Sequence, residues 1–217
     1  MMIAGVEVDF HRVKGAKRLH IRIRRDGTVY VSAPYGVPMS EVEDFVSSYR
    51  EWIEGNLKKV DDTVLRDGAT VTILGEPCIL HLIESRSSAV RRDGNDIFLM
   101  CKGDPESVMR EYRRSIVMEV APLYLEKWSS ITGLRCSELR TKCMRTKWGT
   151  CNPKDRRIWL NTRLAEKSPE CIEYVVLHEL CHVRYADHGA GFKAMLDRYM
   201  PDWRERRKRL NGKLSPS

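Results

Sequence analysis

His178, Glu179 and His182 stand in the run His178-Glu179-Leu180-Cys181-His182. On a helix, 100° per residue sets positions 178 and 182 about 40° apart on one face, roughly 6 Å along the axis. Two imidazoles so placed converge on one ion. Glu179, beside the first of them, can reach a water on that ion without binding the ion itself. His188 lies beyond Asp187 and just before Gly189 and Gly191, where a turn leaving the helix can bring back a third imidazole. Three protein ligands with one open position is the pattern of a catalytic rather than a structural zinc site. Such an ion lowers the pKa of its water to about 7. Glu179 then takes the water's proton and passes it to a leaving amine. Tyr185, Arg145 and Lys147 are alternative donors to the developing oxyanion. Zn²⁺ is the expected cofactor, one ion, although Ni²⁺, Co²⁺ or Fe²⁺ also suit three imidazoles. The competing reading is a pair of surface histidines. Against it stand Cys171, Ile172, Val175, Val176 and Leu177, which make the flanking segment strongly apolar. Cys181 points about 100° away from His182 and reads as a small core residue.

The helix that must carry these groups starts at Ser168-Pro169, a cap followed by a first-turn proline. It is expected to end near Tyr185–Asp187, with a second helix over Phe192–Met200. Upstream, Asp104-Pro105 opens a helix to about Ser129, with Tyr112, Ile116, Val120, Tyr124 and Trp128 on one stripe. Pro122 interrupts its hydrogen bonds and Gly133 marks the exit. Residues 134–161 read as β-rich, with a turn at Asn152–Asp155 and a strand at Ile158–Asn161. Near the N-terminus, Leu19, Ile21 and Ile23 alternate with His20, Arg22 and Arg24 as in a strand with one buried face. Asp26-Gly27 is a hairpin signal and Val29–Val31 the return strand. Ser40 and Glu43 form a capping box for one long helix. On it Val42, Phe45, Val46, Tyr49, Trp52, Ile53, Leu57 and Val60 mark the apolar face. A second hairpin occupies 69–83, residues 84–95 read as a loop, and Ile97–Met100 as a strand. No internal repeat is evident.

These elements give an α+β protein: a β-rich N-terminal lobe with one long helix over 1–102, then a lobe over 103–217 with the His-bearing helix beside a small sheet. The 217 residues suffice for one or two cores. Hydrophobic residues at 42% and charged ones at 31% exclude wholesale disorder. Glu7 and Asp9 interrupt the start before a signal peptide could form, and no apolar run reaches membrane-spanning length, so no membrane association is expected. Seven cysteines, an odd number with no CxxC pair, read as reduced thiols and a cytoplasmic location.

Three blocks carry a family resemblance. Arg145-Thr146-Lys147-Trp148-Gly149-Thr150-Cys151 is similar to an R-W-G-S-C block. Ile158-Trp159-Leu160-Asn161 is similar to an I-x-L-N strand. Tyr174 through His182, then His188, Phe192 and Met200-Pro201-Asp202-Trp203, complete the pattern. Together they resemble the YgjP-like metallopeptidases, relatives of the SprT-type zincins, most closely over residues 104–210. The resemblance implies a minimal zincin-like fold, with His178, His182 and His188 on zinc, Glu179 as general base, and peptide or protein substrates. Lys147 and Thr150 stand where Arg and Ser are usual; Lys147 removes any bidentate guanidinium contact there. The resemblance also nominates Arg156–Asn161 as an edge strand that pairs with extended substrate; the same strand reads equally well as core. Trp148, Trp159 and Asn161 complete the candidate substrate contacts. Cys151 is a small buried residue in preference to a reactive thiolate.

The formal charge of +8 favours anionic partners. Basic residues cluster at Arg12–Arg25, at Arg135–Arg157 and at Arg204–Arg209, which keeps nucleic acid or a nucleotide open as a partner. Two alternatives to a zinc peptidase follow: a metal-dependent nucleoside triphosphate pyrophosphatase, and a nucleic-acid-associated protein with a vestigial metal site.

Overall fold

The computed structural model describes residues 1–24, 27–61 and 65–212. Arg25 and Asp26 of the expected hairpin turn, and the side chain of Val60, lie outside them. The chain divides into two units, Met1–Val64 and Leu65–Ser217.

In the first unit β1 (Met2–Ile3), β2 (Val6–Arg12), β3 (His20–Ile23) and β4 (Val29–Ala33) form a sheet in the order β1-β2-β4-β3. Residues 29–33 alternate fully and partly buried, as strict period-two patterning requires of a sheet with one covered face. Helices α1 (Met39–Ser48) and α2 (Arg50–Asp61) follow. Val42, Val46 and Ile53 pack on Ile3, Val8, Val29, Val31 and Ala33. The single long helix is thus two, separated at Tyr49. Ser40 is not its cap: α1 starts at Met39 after Pro38, with no side-chain cap bond. The aliphatic positions face the sheet, while Tyr49 and Trp52 are exposed.

The second unit opens with β5 (Thr70–Ile73), β6 (Glu76–Glu84), β7 (Ala89–Asp93) and β8 (Asp96–Cys101), in the order β5-β6-β8-β7. This repeats the first sheet's connectivity. In each, a tight hairpin pairs antiparallel, its second strand runs parallel to the fourth, and the third pairs antiparallel with the fourth. The repeat is topological, so the sequence pattern does not show it. β7 occupies the stretch read as a loop. It is a polar, mostly exposed edge strand without hydrophobic alternation, which leaves no periodic signal.

The long helix α3 (Pro105–Thr132) forms as expected. The Asp104 carboxylate accepts from the Glu106 N–H at 3.0 Å, and Gly133 ends the helix in the left-handed region at φ 72°. Strands β9 (Glu138–Lys142), β10 (Gly149–Asn152) and β11 (Arg157–Asn161) make a sheet in the order β10-β11-β9. A 3₁₀ turn (Thr162–Glu166) leads to α4 (Pro169–Cys181), α5 (Ala190–Tyr199) and α6 (Trp203–Asn211). Leu80, Ile97 and Leu99 from the β5–β8 sheet share one core with Met109 and Val117 of α3, Ile158 and Leu160 of β11, and Ile172, Val176 and Leu180 of α4. The β5–β6 hairpin also donates its Leu74 N–H to the Ala165 carbonyl, 2.7 Å, just before α4. That shared core is why the units part at 64/65 and not at 102.

Glu173, 7% exposed on α4, is one of the few buried polar residues of this unit. Lys127 of α3 and Arg206 of α6 each donate to its carboxylate at 2.6 Å. Burial pushes its pKa up, but these two cations outweigh burial and leave it below the usual range. Because the folded pKa is depressed, the stabilisation is present above the unfolded value of about 4.3 and is lost as pH falls through the folded one. Glu173→Ala is expected to cost about 1–3 kcal/mol in denaturant unfolding, because it removes the carboxylate that joins Lys127 and Arg206 and leaves Arg206 only its Asp202 partner. Glu173→Gln should cost less and flatten the acid limb of the stability profile.

Candidate metal centre

Helix α4 is buried on nearly every side, so its direction is fixed by packing against α3, α5, α6 and two strands. It ends four or more residues earlier than the periodicity predicts, at Cys181. His182 is its C-cap and keeps right-handed helical angles, φ −67° and ψ −16°. The register from His178 to His182 therefore survives the helix end. A turn follows, closed by bonds from Arg184 N and Tyr185 N to Cys181 O. Tyr185 tucks its ring against Gly191, where a Cβ would lie 2.7 Å from the ring. That close approach lets residues 186–190 fold back and return His188 to the other two.

The ligand-capable atoms of His178, His182 and His188 all lie within 4.8 Å of one another. The Nε2 atoms of His178 and His188 are 3.1 Å apart. Two ligands at 2.0–2.1 Å on a tetrahedral ion are separated by roughly 3.3 Å. His182 Nδ1 lies 2.9 Å from the Tyr185 carbonyl oxygen, which can only accept, so Nδ1 carries the proton and Nε2 offers its lone pair. Burial, then the neighbouring His182 and His188, push the His178 pKa down to about 3. His188 is also lowered, by burial and then by His182 and Arg207. These two rings are neutral at physiological pH, the form a cation requires. Phe192, 2% exposed, supports all three, with ring centroids 4.9, 4.8 and 4.7 Å from His178, His182 and His188. The donor set fits a divalent metal.

Glu179 turns from the same helix towards β10. It is 5% exposed, and among the described residues no group donates a hydrogen bond to its carboxylate. Burial pushes its pKa up to about 8, against a downward pull from Lys147. Gly149 makes room for it: a Cβ there would lie 2.7 Å from both Cγ and Oε1 of Glu179. The three histidines and Glu179 open into a cleft of about 960 Å³ walled by β10 and the loop before it, α4, α5 and α6.

Of the candidate substrate contacts, Lys147 and Trp148 line the cleft. Trp148 Nε1 donates to Asn211 Oδ1 at 3.1 Å. The other four lie elsewhere. Arg145 is exposed on the loop. Trp159 is on the opposite sheet face from the buried Ile158 and Leu160, under Arg140 and Lys142. Asn161 is buried and donates to the Met144 and Lys147 carbonyls at 2.8 and 2.7 Å, so it holds the loop that carries Lys147 and Trp148. Tyr185 acts through its carbonyl on His182. β11, nominated as the edge strand, is the central strand of its sheet; β10 is the edge beside Glu179. The Cys151 thiol lines the cleft but is pushed up to about 12 by burial and then by Glu179, which keeps it protonated.

Sequence reasoning missed Phe192 as a support, Tyr174, Lys193 and Arg207 as cleft walls, and the reason for Gly149. Tyr174 had a signal, four residues before His178 on the same helix; its hydroxyl lies 3.4 Å from His178 Nδ1. Lys193 and Arg207 had none, since α5 and α6 reach the cleft only through tertiary packing. Several cations of the basic clusters are paired: Arg24 with Asp9, Arg140 with Glu138, Arg204 with Asp197 and Arg206 with Glu173 and Asp202.

The family model described as YgjP-like, metallopeptidase domain, matches residues 17–213, so the likeness extends well beyond 104–210 into the N-terminal unit. Among solved structures, the metallopeptidase zymogen abylysin of Pyrococcus abyssi is 20% identical, with a TM-score of 0.39, over 42% of this chain and 90% of that one. The zymogen jannalysin of Methanocaldococcus jannaschii is 23% identical, with a TM-score of 0.35, over 42% of this chain and 83% of that one. No curated protein matches significantly. No helix among the described residues is long and apolar enough to cross a membrane.

Removing the Phe192 ring frees three imidazoles at once. Phe192→Ala is expected to weaken the binding of a divalent metal about tenfold or more in a chelator competition, and Phe192→Leu by less.

Proposed function

The chain belongs to the YgjP-like metallopeptidase family, and from that premise we propose a metal-dependent peptidase in which His178, His182 and His188 hold one divalent ion and Glu179 is the general base. The observation that carries this reading is the Glu179 carboxylate. A buried carboxylate without a hydrogen-bond donor costs stability and persists where it has a task. Here it stands beside three converging imidazoles. Zinc suits three neutral nitrogens with one open position. When bound, the ion supplies Lewis acidity and a nucleophile at neutral pH.

The remaining work falls to the protein. Glu179 accepts the proton of the attacking water and delivers it to the leaving amine. A cation in the three-histidine site opposes the burial that raises its pKa and favours the carboxylate form at neutral pH. β10 holds the substrate. Asn161 N donates to Trp148 O at 2.9 Å, and β10 pairs with β11 in the register Gly149 to Leu160 and Thr150 to Trp159. Antiparallel alternation therefore turns the N–H and C=O groups of Gly149 and Cys151 to the open edge. An extended peptide pairing there runs past Glu179 with its backbone held by strand addition.

Metal analysis of the purified protein tests the ligand set: wild type is expected to hold one equivalent and His188→Ala much less, with equal contents refuting the third ligand. Glu179→Ala should keep its metal and lose peptide turnover by 10²-fold or more. Gly149→Ala, whose methyl displaces that carboxylate, should lose about 10²-fold with metal retained. Turnover of nucleoside triphosphates and not of peptides would replace the peptidase reading.

A further inference from the structure

We infer that the cleft selects an acidic peptide, one whose Asp or Glu side chain near the scissile bond pairs with Arg207. The inference rests on the peptidase reading and adds a substrate class to it.

Three cations line the cleft: Lys147 on the loop before β10, Lys193 on α5 and Arg207 on α6. Glu179 is the one carboxylate among its lining residues. No salt bridge among the described residues neutralises any of the three. On the same helix, Arg204 is held by Asp197 at 2.6 Å, and Arg206 by Glu173 at 2.6 Å and Asp202 at 2.7 Å. Arg207 is left without such a partner on the side that faces the cleft. It lies one helical turn after Trp203, whose ring stacks on Tyr174 at 6.4 Å, and the Tyr174 hydroxyl is 3.4 Å from His178 Nδ1, which sets Arg207 on the histidine side. Lys193 follows Phe192, which packs on the three histidines, whereas Lys147 is two residues before Gly149, which abuts Glu179 on the other wall. An occupant therefore passes between positive charges.

The surroundings strengthen these charges. Trp148, Trp203, Phe192 and Leu210 share the lining, and a low-dielectric wall focuses the field of unpaired cations. A divalent ion in the site adds to the same sign. A basic peptide meets repulsion on both walls, and an acidic one meets a planar guanidinium suited to a bidentate carboxylate contact. A peptide is favoured over a phosphorylated nucleotide because the open edge of β10 offers alternating N–H and C=O groups, which a backbone satisfies in register and a nucleotide does not.

The test uses the full-length, zinc-loaded chain carrying Glu179→Gln, so that binding is read without turnover. Fluorescent peptides identical except for Glu, Gln or Lys near the centre are titrated by anisotropy. The Glu peptide is expected to bind about 5–10-fold tighter than the Gln peptide at low salt. That preference should shrink towards unity near 0.5 M salt, where the screening length is only a few ångström. Arg207→Gln, with zinc content unchanged, should erase most of it, and Arg207→Glu should shift preference to the Lys peptide. Equal binding of the Glu and Gln peptides, or a preference that survives Arg207→Gln, overturns the inference. So does tighter binding of a nucleoside triphosphate than of any peptide. Wild-type turnover separates the two readings. Equal cleavage of all three peptides keeps the peptidase and removes this selectivity; charge-selective binding with no cleavage of any peptide keeps the selectivity and removes the peptidase.

Discussion

The structure depends on a carboxylate that is nearly buried, that no protein donor reaches among the described residues, and that meets solvent only through the cleft. Glu179 sits at 5% exposure beside Gly149 and within the field of Lys147. Holding a carboxylate there without a protein donor costs free energy through lost hydration. The surrounding architecture holds it there regardless. α4 is locked into a core shared by both neighbouring sheets, and β10 meets it with the one residue type small enough to let it lie flat against the strand.

The three histidines show the complementary arrangement. Their rings are crowded, with two Nε2 atoms 3.1 Å apart, a contact that two lone pairs alone would repel. Each ring is held from outside the triad. Phe192 lies under all of them, and the Tyr185 carbonyl fixes the tautomer of His182. Glu173 ties α4 to α3 and α6 through two ion pairs on another part of the helix. α6 in turn supplies Trp203, Arg207 and Asn211 to the cleft wall. The same helix–helix packing thus stabilises the core and shapes the opening.

The two four-stranded sheets carry a lesson about what patterns encode. Their strand orders match, and both put a tight hairpin first. Yet β7 is polar, so one of the four strands of the second sheet is invisible to periodicity. The aromatic residues of the helical segment in the first unit mislead in the opposite sense. Tyr49 and Trp52 look like core by spacing, but Val42, Val46 and Ile53 win the buried face because compact aliphatic side chains fit close against a pleated surface. Tyr49 then falls at the break between α1 and α2.

Local chemistry was legible from the chain alone. The spacing of His178, Glu179, His182 and His188, the cap at Asp104-Pro105, the exit at Gly133 and the alternation in β3 and β4 depend on neighbours a few residues away. Period and cap rules describe those distances directly. What the chain could not reveal is decided between residues far apart. Examples are the place of β11 at the centre of its sheet, the passage of Lys193 and Arg207 into the cleft, the role of Asn161 in holding a loop, and the isolation of the Glu179 carboxylate. Each depends on which surfaces meet after collapse, and that is settled by burial and pairing over the whole unit, not by any stretch of sequence.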